Sequence, residues 1–259
     1  MKTSRSVELR RQGIVEWVGT HGLTQVDELA ERFNTSQVTV RKDLTALASA
    51  GKLIRQFGGA APLPTHNLPT HCESETSAAL AAIGKAAAQR IVDGCRVVLD
   101  CGSTTAALLP YLQDKQHLVV MTNSLQASNF LTKAPNNPNV LMTGGTWDPN
   151  SQSFQGLMAE KMVAEYSFDI AIVGAAGIDV GRGTTTFNEL TGLTNVMADS
   201  ASDVVVVAAS NKLKHKMPNL ELGWKKISTL VTDSGISHQD KIQIEQQGVS
   251  VVVAALGGE

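Results

Sequence analysis

The sequence is poor in the residues that mark exported, membrane-bound or metal-bound chains. Only three cysteines, Cys72, Cys95 and Cys101, occur in 259 residues. Without paired spacing they suit reduced thiols and argue against a disulfide framework. No apolar run approaches the roughly 20 residues that span a bilayer. The basic opening, residues 1–11, lacks the apolar stretch of a signal peptide, so the cytoplasm is the expected compartment, away from any membrane. His66, His71 and Cys72 cluster, yet their spacing matches no zinc pattern. Neither a Gly-x-x-x-x-Gly-Lys loop nor a Gly-x-Gly-x-x-Gly fingerprint occurs, which disfavours nucleotide binding. No metal and no cofactor are expected. Charged residues make up 18% and hydrophobic ones 42%, the balance of a soluble globular chain, here long enough for two domains.

What is present is unevenly placed. The net charge is −2, but residues 1–60 hold nine Lys/Arg against six Asp/Glu, leaving −5 for the remainder. A basic head on an acidic body suits a protein whose head alone touches a polyanion.

In the head, Leu9, Ile14, Trp17 and Val18 recur near helical spacing and predict a helix over 4–19, ended by His21-Gly22. A second helix is expected from Thr24, with its hydroxyl as cap and Asp27 and Glu28 favoured in the first turn. Val26, Leu29, Ala30 and Phe33 make its buried stripe. After a turn at Asn34-Thr35, Ser36 is positioned to cap a third helix reaching Ala50. Two short helices joined by a tight turn, the second one basic, form the helix-turn-helix pattern. On the third helix Val40, Leu44 and Leu47 fall on one face, and Val38, Arg41, Lys42 and Thr45 on the other. Arg41 can pair bidentately with guanine, Val38 can touch a thymine methyl, and Gln37 and Thr39 stand near enough to reach bases or phosphates. Residues 52–57 alternate like a strand before Gly58-Gly59, one arm of a wing that carries Lys52 and Arg55 toward phosphates. A helical bundle for protein contacts is the alternative, but the cations gather where a groove-reading helix needs them.

These residues resemble the DeoR family. The run VDELAERFNTS over 26–36, then VTVRKDL over 38–44, Gly51, and Arg55-x-x-Gly-Gly59 match its signature of turn, helix and wing. The family's Thr-Ile-Arg-Arg-Asp-Leu core reads Thr39-Val-Arg-Lys-Asp-Leu44 here, so Lys42 replaces a bidentate donor. The resemblance implies double-stranded operator DNA as a partner.

Pro62, Pro64 and Pro69 with few large apolar residues predict a linker, giving domains at 1–60 and 76–259 with 61–75 between them. Beyond it, apolar strands expected at 96–99, 118–121, 139–142, 170–173, 204–208, 229–232 and 249–253 alternate with helices at 77–91, 103–112, 125–132 and 156–166. Further helices are expected after about 191 and 239. The fold class is α/β, a winged helix-turn-helix plus a larger, mainly parallel α/β domain. Ligands of such sheets bind beyond the carboxyl ends of the strands. There the sequence places Asp100-Cys-Gly102-Ser103-Thr104-Thr105, a glycine turn with hydroxyls suited to a phosphate. Thr122-Asn123-Ser124, Thr143-Gly144-Gly145-Thr146, the stretch from Gly174 to Gly177, and Ser210-Asn211-Lys212 end other strands. Each taken singly is a simple turn or cap; their shared edge suggests a site.

The resemblance continues here. DeoR-family sensor domains are similar to the ribose-phosphate isomerase type of fold and bind phosphorylated sugars or sugar alcohols. The matching positions are Asp100, Gly102, Ser103, Thr104, Thr122, Asn123, Gly144, Gly145, Gly177, Glu189 and Lys212. The family usually has an aspartate three residues before that lysine, where this chain has Ala209. Thr185-Thr-Phe-Asn-Glu189 and Lys216-Met-Pro-Asn219 look most similar to the glucitol (sorbitol) operon repressor branch. The resemblance implies a regulator of carbohydrate genes, relieved as a repressor by a phosphorylated effector. A homo-oligomer, dimer or tetramer, is expected because one helix-turn-helix contacts few base pairs. The rival is an aldose–ketose phosphate isomerase using Asp100, Glu189 and Lys212 to move a proton. The fused head argues against it, because catalysis needs no recognition helix.

Overall fold

The structure, a computed structural model, describes residues 4–21, 24–49, 52–56, 59–61, 73–149, 151–186 and 192–255. The chain divides into two compact units, Met1–Cys72 and Glu73–Glu259.

The first unit holds α1 (Ser4–His21), β1 (Thr24–Gln25), α2 (Val26–Arg32), α3 (Gln37–Ser49), β2 (Ile54–Gln56) and β3 (Gly59–Ala61). Ile14 and Val18 from α1, Leu29 from α2, and Val40, Leu44 and Leu47 from α3 meet in one buried cluster that Leu53 and Ala60 close from the wing. The turn between α2 and α3 puts Asn34 at φ 44, a left-handed conformation that asparagine tolerates. Strand order is β1-β3-β2, all antiparallel. The second helix starts later than expected, at Val26: Thr24 pairs with Ala60 inside a strand, and the Gln25 side chain at the cap position makes no capping bond. A β-branched residue suits a strand. The pairing also needs Gly59, where a Cβ would strike the Thr24 carbonyl. The wing therefore has three strands, with β2 spanning only part of the arm expected over 52–57.

The second unit begins with α4 (Glu73–Ala88), so residues 73–75 of the expected linker are helical and Ala61 closes β3; residues 62–72, with His66, His71 and Cys72, lie outside the described residues. Next come β4 (Arg96–Leu99), α5 (Ser103–Ala106), β5 (Val119–Thr122), α6 (Leu125–Leu131), β6 (Asn139–Met142), β7 (Thr146–Asp148), β8 (Ser153–Gln155) and α7 (Leu157–Ala164). Then follow β9 (Phe168–Val173), β10 (Gly177–Asp179), β11 (Gly183–Thr186), α8 (Gly192–Asp199), β12 (Ala201–Val207), β13 (Asn219–Gly223), β14 (Thr229–Asp233), α9 (His238–Glu245) and β15 (Ser250–Ala254). Seven strands form one parallel sheet in the order β15-β14-β12-β9-β4-β5-β6. Successive side chains alternate between its faces. Val97, Leu99, Ile170, Ile172, Val205 and Val207 pack on one side, and Val98, Ala171, Val173, Val204 and Val206 on the other. Burial on both faces explains the near-continuous apolar runs.

The expected helix over 103–112 breaks into α5 and a 3₁₀ turn, Leu109–Leu112. Pro110 lacks the N–H that would bond back to Ala106, so the helix cannot pass it. The hairpin β7–β8 and the small antiparallel sheet β10-β11-β13 had no counterpart in the sequence reading.

Chain order reverses between β4 and β9. The strands β5 and β6 lie on one side of that pair and β12, β14 and β15 on the other. The crevice beyond the carboxyl ends of β4 and β9 is where such a sheet receives a ligand.

Candidate functional site

In the head, α3 presents Val38, Arg41, Lys42 and Thr45 to solvent around a shallow open depression. Val38 is 60% exposed, an apolar side chain that packing does not account for. Arg41 donates to Gln37 Oε1 at 3.4 Å, and the Thr45 hydroxyl donates to the Arg41 carbonyl at 2.8 Å. Ser36 Oγ accepts from the Thr39 N–H at 3.2 Å and lies 2.9 Å from the Thr39 hydroxyl, so both begin the helix as a cap. Lys52 is exposed beside the wing; the side chain of Arg55 lies outside the described residues.

Sequence reasoning missed what holds this face in place. Asp43 is 2% exposed, with Oδ2 accepting from Arg10 Nε at 2.7 Å and Oδ1 from Arg11 Nε at 2.8 Å. Those bonds tie α3 to α1. Asp43 was legible only as a letter of the family signature.

In the second unit, Asp100 follows β4 and is partly buried. Its Oδ1 accepts from the Cys101 N–H at 2.8 Å and from Asn123 Nδ2 at 2.9 Å. Burial raises the Asp100 carboxyl above the usual range, against the pull of those donors. Burial also pushes the Cys101 thiol up, with the Asp100 charge adding to it. Asn123 is fully buried, and its Oδ1 has no partner among the described residues. Gly102, at φ 126, turns the chain so that Ser103 and Thr104 open α5 with hydroxyls that make no hydrogen bond among the described residues. Two of the expected contact residues make internal bonds. Thr105 is buried and donates to the Gly102 carbonyl at 2.8 Å, while Thr122 ends β5 with its hydroxyl accepting from the Ser124 N–H at 3.0 Å.

Gly144 and Gly145 have positive φ and stand exposed after β6. Gly177 opens β10 against the His215 carbonyl. The 3₁₀ turn Ser210–Lys214 packs on β10 and carries Lys212, half-buried, its pKa lowered by burial. At the missing acid, Ala209 offers no cap; Asp233 at the end of β14 reaches across, accepting from the Ser210 N–H at 2.7 Å and its hydroxyl at 2.6 Å. Glu189 lies outside the described residues.

The structure adds Glu221, on β13, which the sequence reading did not single out. Its Oε2 accepts from Thr184 of β11 and its Oε1 from Thr194 of α8, each at 3.2 Å. Asn195 Nδ2 holds its carbonyl at 2.9 Å. Burial, then the nearby Asp100 charge, push this carboxyl up to about 7, while the two threonines pull the other way. The only sequence signal was a lone acid between Leu220 and Leu222, and its meaning depends on strand pairing.

Among the described residues no group of three potential metal ligands occurs, and no helix is long and apolar enough to cross a membrane.

Comparison with known proteins finds the DeoR C-terminal sensor domain over residues 76–234 and the DeoR-like helix-turn-helix domain over residues 10–65. The chain is 31% identical to a relative from Escherichia coli O157:H7 named "Putative aga operon transcriptional repressor", over 94% of this chain and 93% of the relative. It is 31% identical to the transcriptional repressor AccR of Agrobacterium fabrum, over 89% of this chain and 91% of the relative. With the glycerol-3-phosphate regulon repressor of Escherichia coli K12 it shares 30% identity over 66% and 68% of the two chains. Among solved structures, ribose 5-phosphate isomerase A of Methanocaldococcus jannaschii aligns with a TM-score of 0.39 at 17% identity, over 54% of this chain. The chain spans about half of that structure, 55%.

Proposed function

The chain belongs to the DeoR family of transcriptional regulators, and from that premise we propose that it represses carbohydrate-catabolic genes until a phosphorylated sugar or sugar alcohol binds its second unit. The head binds double-stranded operator DNA in the cytoplasm as a homo-oligomer, with α3 in the major groove and Lys52 and Arg55 on phosphates. One observation carries the reading: α3 seats Val40, Asp43, Leu44 and Leu47 in the core and turns Val38, Arg41, Lys42 and Thr45 outward. Guanidinium, ammonium, methyl and hydroxyl groups on one exposed face are the set that reads base edges.

For the second unit, the support is the turn at Gly102. The first N–H groups of any helical turn have no partner within it, and Ser103 and Thr104 add hydroxyls to a nest suited to phosphate. α5 has four residues, so the dipole adds little. Lys212 has no ion pair among the described residues and supplies the cation.

The finer assignment is to the glucitol branch. Its two matching segments meet where the Met217 N–H donates to the Thr185 hydroxyl at 3.0 Å, and on that sequence likeness D-glucitol 6-phosphate is the first effector to try.

Selection of binding sites for the full chain from a random duplex library tests the whole reading. An enriched, two-fold symmetric sequence, released by D-glucitol 6-phosphate or another sugar phosphate but not by the free polyol, is expected. Failure to enrich any sequence overturns it.

A further inference from the structure

The large apolar side chains that the second unit leaves in solvent are unevenly spread. Of the nine exposed among its described residues, Leu125, Trp147, Leu157 and Met158 fall together, and the other five stand singly elsewhere. Met158 is 67% exposed and Leu157 63%. Both open α7, which turns Ala159 and Val163 inward. Gly156 joins that helix to β8, on which it packs. The outer face of the hairpin continues the patch: Trp147 of β7 meets Phe154 of β8 edge to face, with ring centroids 5.4 Å apart. Leu125 follows Ser124, whose backbone bridges Ser153 at the start of β8. From behind, the hairpin is anchored. The Phe154 N–H donates to the Asn123 carbonyl at 2.9 Å, and the fully buried Ser153 hydroxyl accepts from Gln155 Nε2 at 2.7 Å.

The four exposed side chains leave roughly 400 Å² of apolar surface, a size that marks a contact site. That is about half of the 800 Å² each partner of a standard interface buries, enough for its apolar centre. The exposed Gln152 and Lys161 beside it supply a polar rim. Charge identifies the partner. Residues 144–159 carry a single charge, Asp148, and it already accepts from the Ser151 N–H at 3.2 Å and hydroxyl at 2.6 Å. Residues 61–259 have a net charge of −5, so two copies repel over most of their surface and meet best where charge is lacking. An uncharged apolar face is also its own complement, which a two-fold contact between identical chains requires. We infer that this patch docks against the same patch of a second copy of the chain, across a two-fold axis. The inference rests on the homo-oligomer proposed above and deepens it by giving it an interface. Such a pair carries two heads, one for each half of a symmetric operator.

The test is sedimentation equilibrium of the full chain over a dilution series. The unaltered chain should sediment as a dimer or tetramer. Met158→Glu should halve that mass, or weaken association at least about a hundredfold, because each contact then buries two like charges without partners. An acid in the first turn of a helix suits the dipole, so the variant keeps its fold. Leu157→Glu repeats the test one position away. Val92→Glu is the control: Val92 is 63% exposed but precedes β4, at the opposite end of the sheet from the hairpin that follows β6, and the mass should not change. Thermal unfolding verifies that all three variants are folded. An unchanged mass in folded Met158→Glu and Leu157→Glu overturns the inference and moves the oligomer to another surface. Equal dissociation of Val92→Glu also overturns it, because added negative charge alone would then explain the loss. A monomeric unaltered chain overturns the inference together with the proposed homo-oligomer, and the selection of binding sites still decides DNA reading separately.

Discussion

The two units treat a buried acid in opposite ways. In the head Asp43, the one fully buried charged residue among those described, is closed by two arginines, while the cations proposed for DNA stand outside on α3. In the second unit Asp100 and Glu221 sit partly buried among hydroxyls, an amide and a backbone N–H, and burial raises both carboxyls. A carboxylate held by two guanidiniums has its valences filled and serves as architecture. A carboxyl held by hydroxyls and amides, with no cation beside it among the described residues, keeps a raised pKa. Pairing, more than burial, separates the acid of the head from those of the second unit.

The largest effect should come from breaking the closed acid. Asp43→Ala leaves Arg10 and Arg11 without their partner, and removing one member of a buried ion pair costs about 3–5 kcal/mol, toward the lower end here because Arg11 is partly exposed. In a denaturant titration of the full chain the head's transition should move to lower concentration while the second unit's stays. Equal movement of both, or of neither, would break the contrast. Removing a cation outside the core should act differently. Arg41→Ala is expected to leave stability within about 0.5 kcal/mol and to cut discrimination between operator and random duplex by about 1–3 kcal/mol. Gel shifts with both duplexes read this directly.

The unpaired acid gives the opposite sign. Glu221 titrates near 7 in the folded chain against an ordinary value of 4.5, so the folded state holds the extra proton between those values. Stability therefore falls as pH rises from about 4.5 through about 7, and the full penalty is present above it. Glu221→Gln removes that titration. The variant should match the unaltered chain at pH 4.5 and exceed it by about 2 kcal/mol at pH 8. Asp100, also raised, tilts both proteins the same way. A variant less stable at pH 8 would show that the carboxylate is a structural partner like Asp43.

How much of this the sequence disclosed follows the same division. The seven parallel strands were legible because runs such as Ile170–Val173 and Val204–Val207 are apolar on both faces and bounded by turns. The outward face of α3 was legible because helical periodicity separates it from Val40, Leu44 and Leu47 within one segment. The break at Pro110 was legible and overlooked. Asp43 and Glu221 were not, because their partners lie 33 and 37 positions away and only tertiary contact gives them meaning. β11 was hidden for a similar reason. Thr184, Thr185 and Thr186 are polar by type yet buried, and it takes the pairing with β13 to make them a strand.

The smallest expected effect tests the outermost charge. Lys52 is exposed next to the wing, bonded through its backbone N–H to the Leu47 carbonyl at 2.9 Å, so its ammonium contributes nothing to the core. If it neutralises one phosphate, binding releases one fewer counterion when it is gone. Lys52→Ala should weaken operator and random duplex by the same factor, and the slope of log affinity against log salt should become shallower by about 1. Discrimination between the two duplexes should not change. An unchanged slope would remove Lys52 from the interface, and a change in discrimination would make it a reader of bases instead of a phosphate anchor.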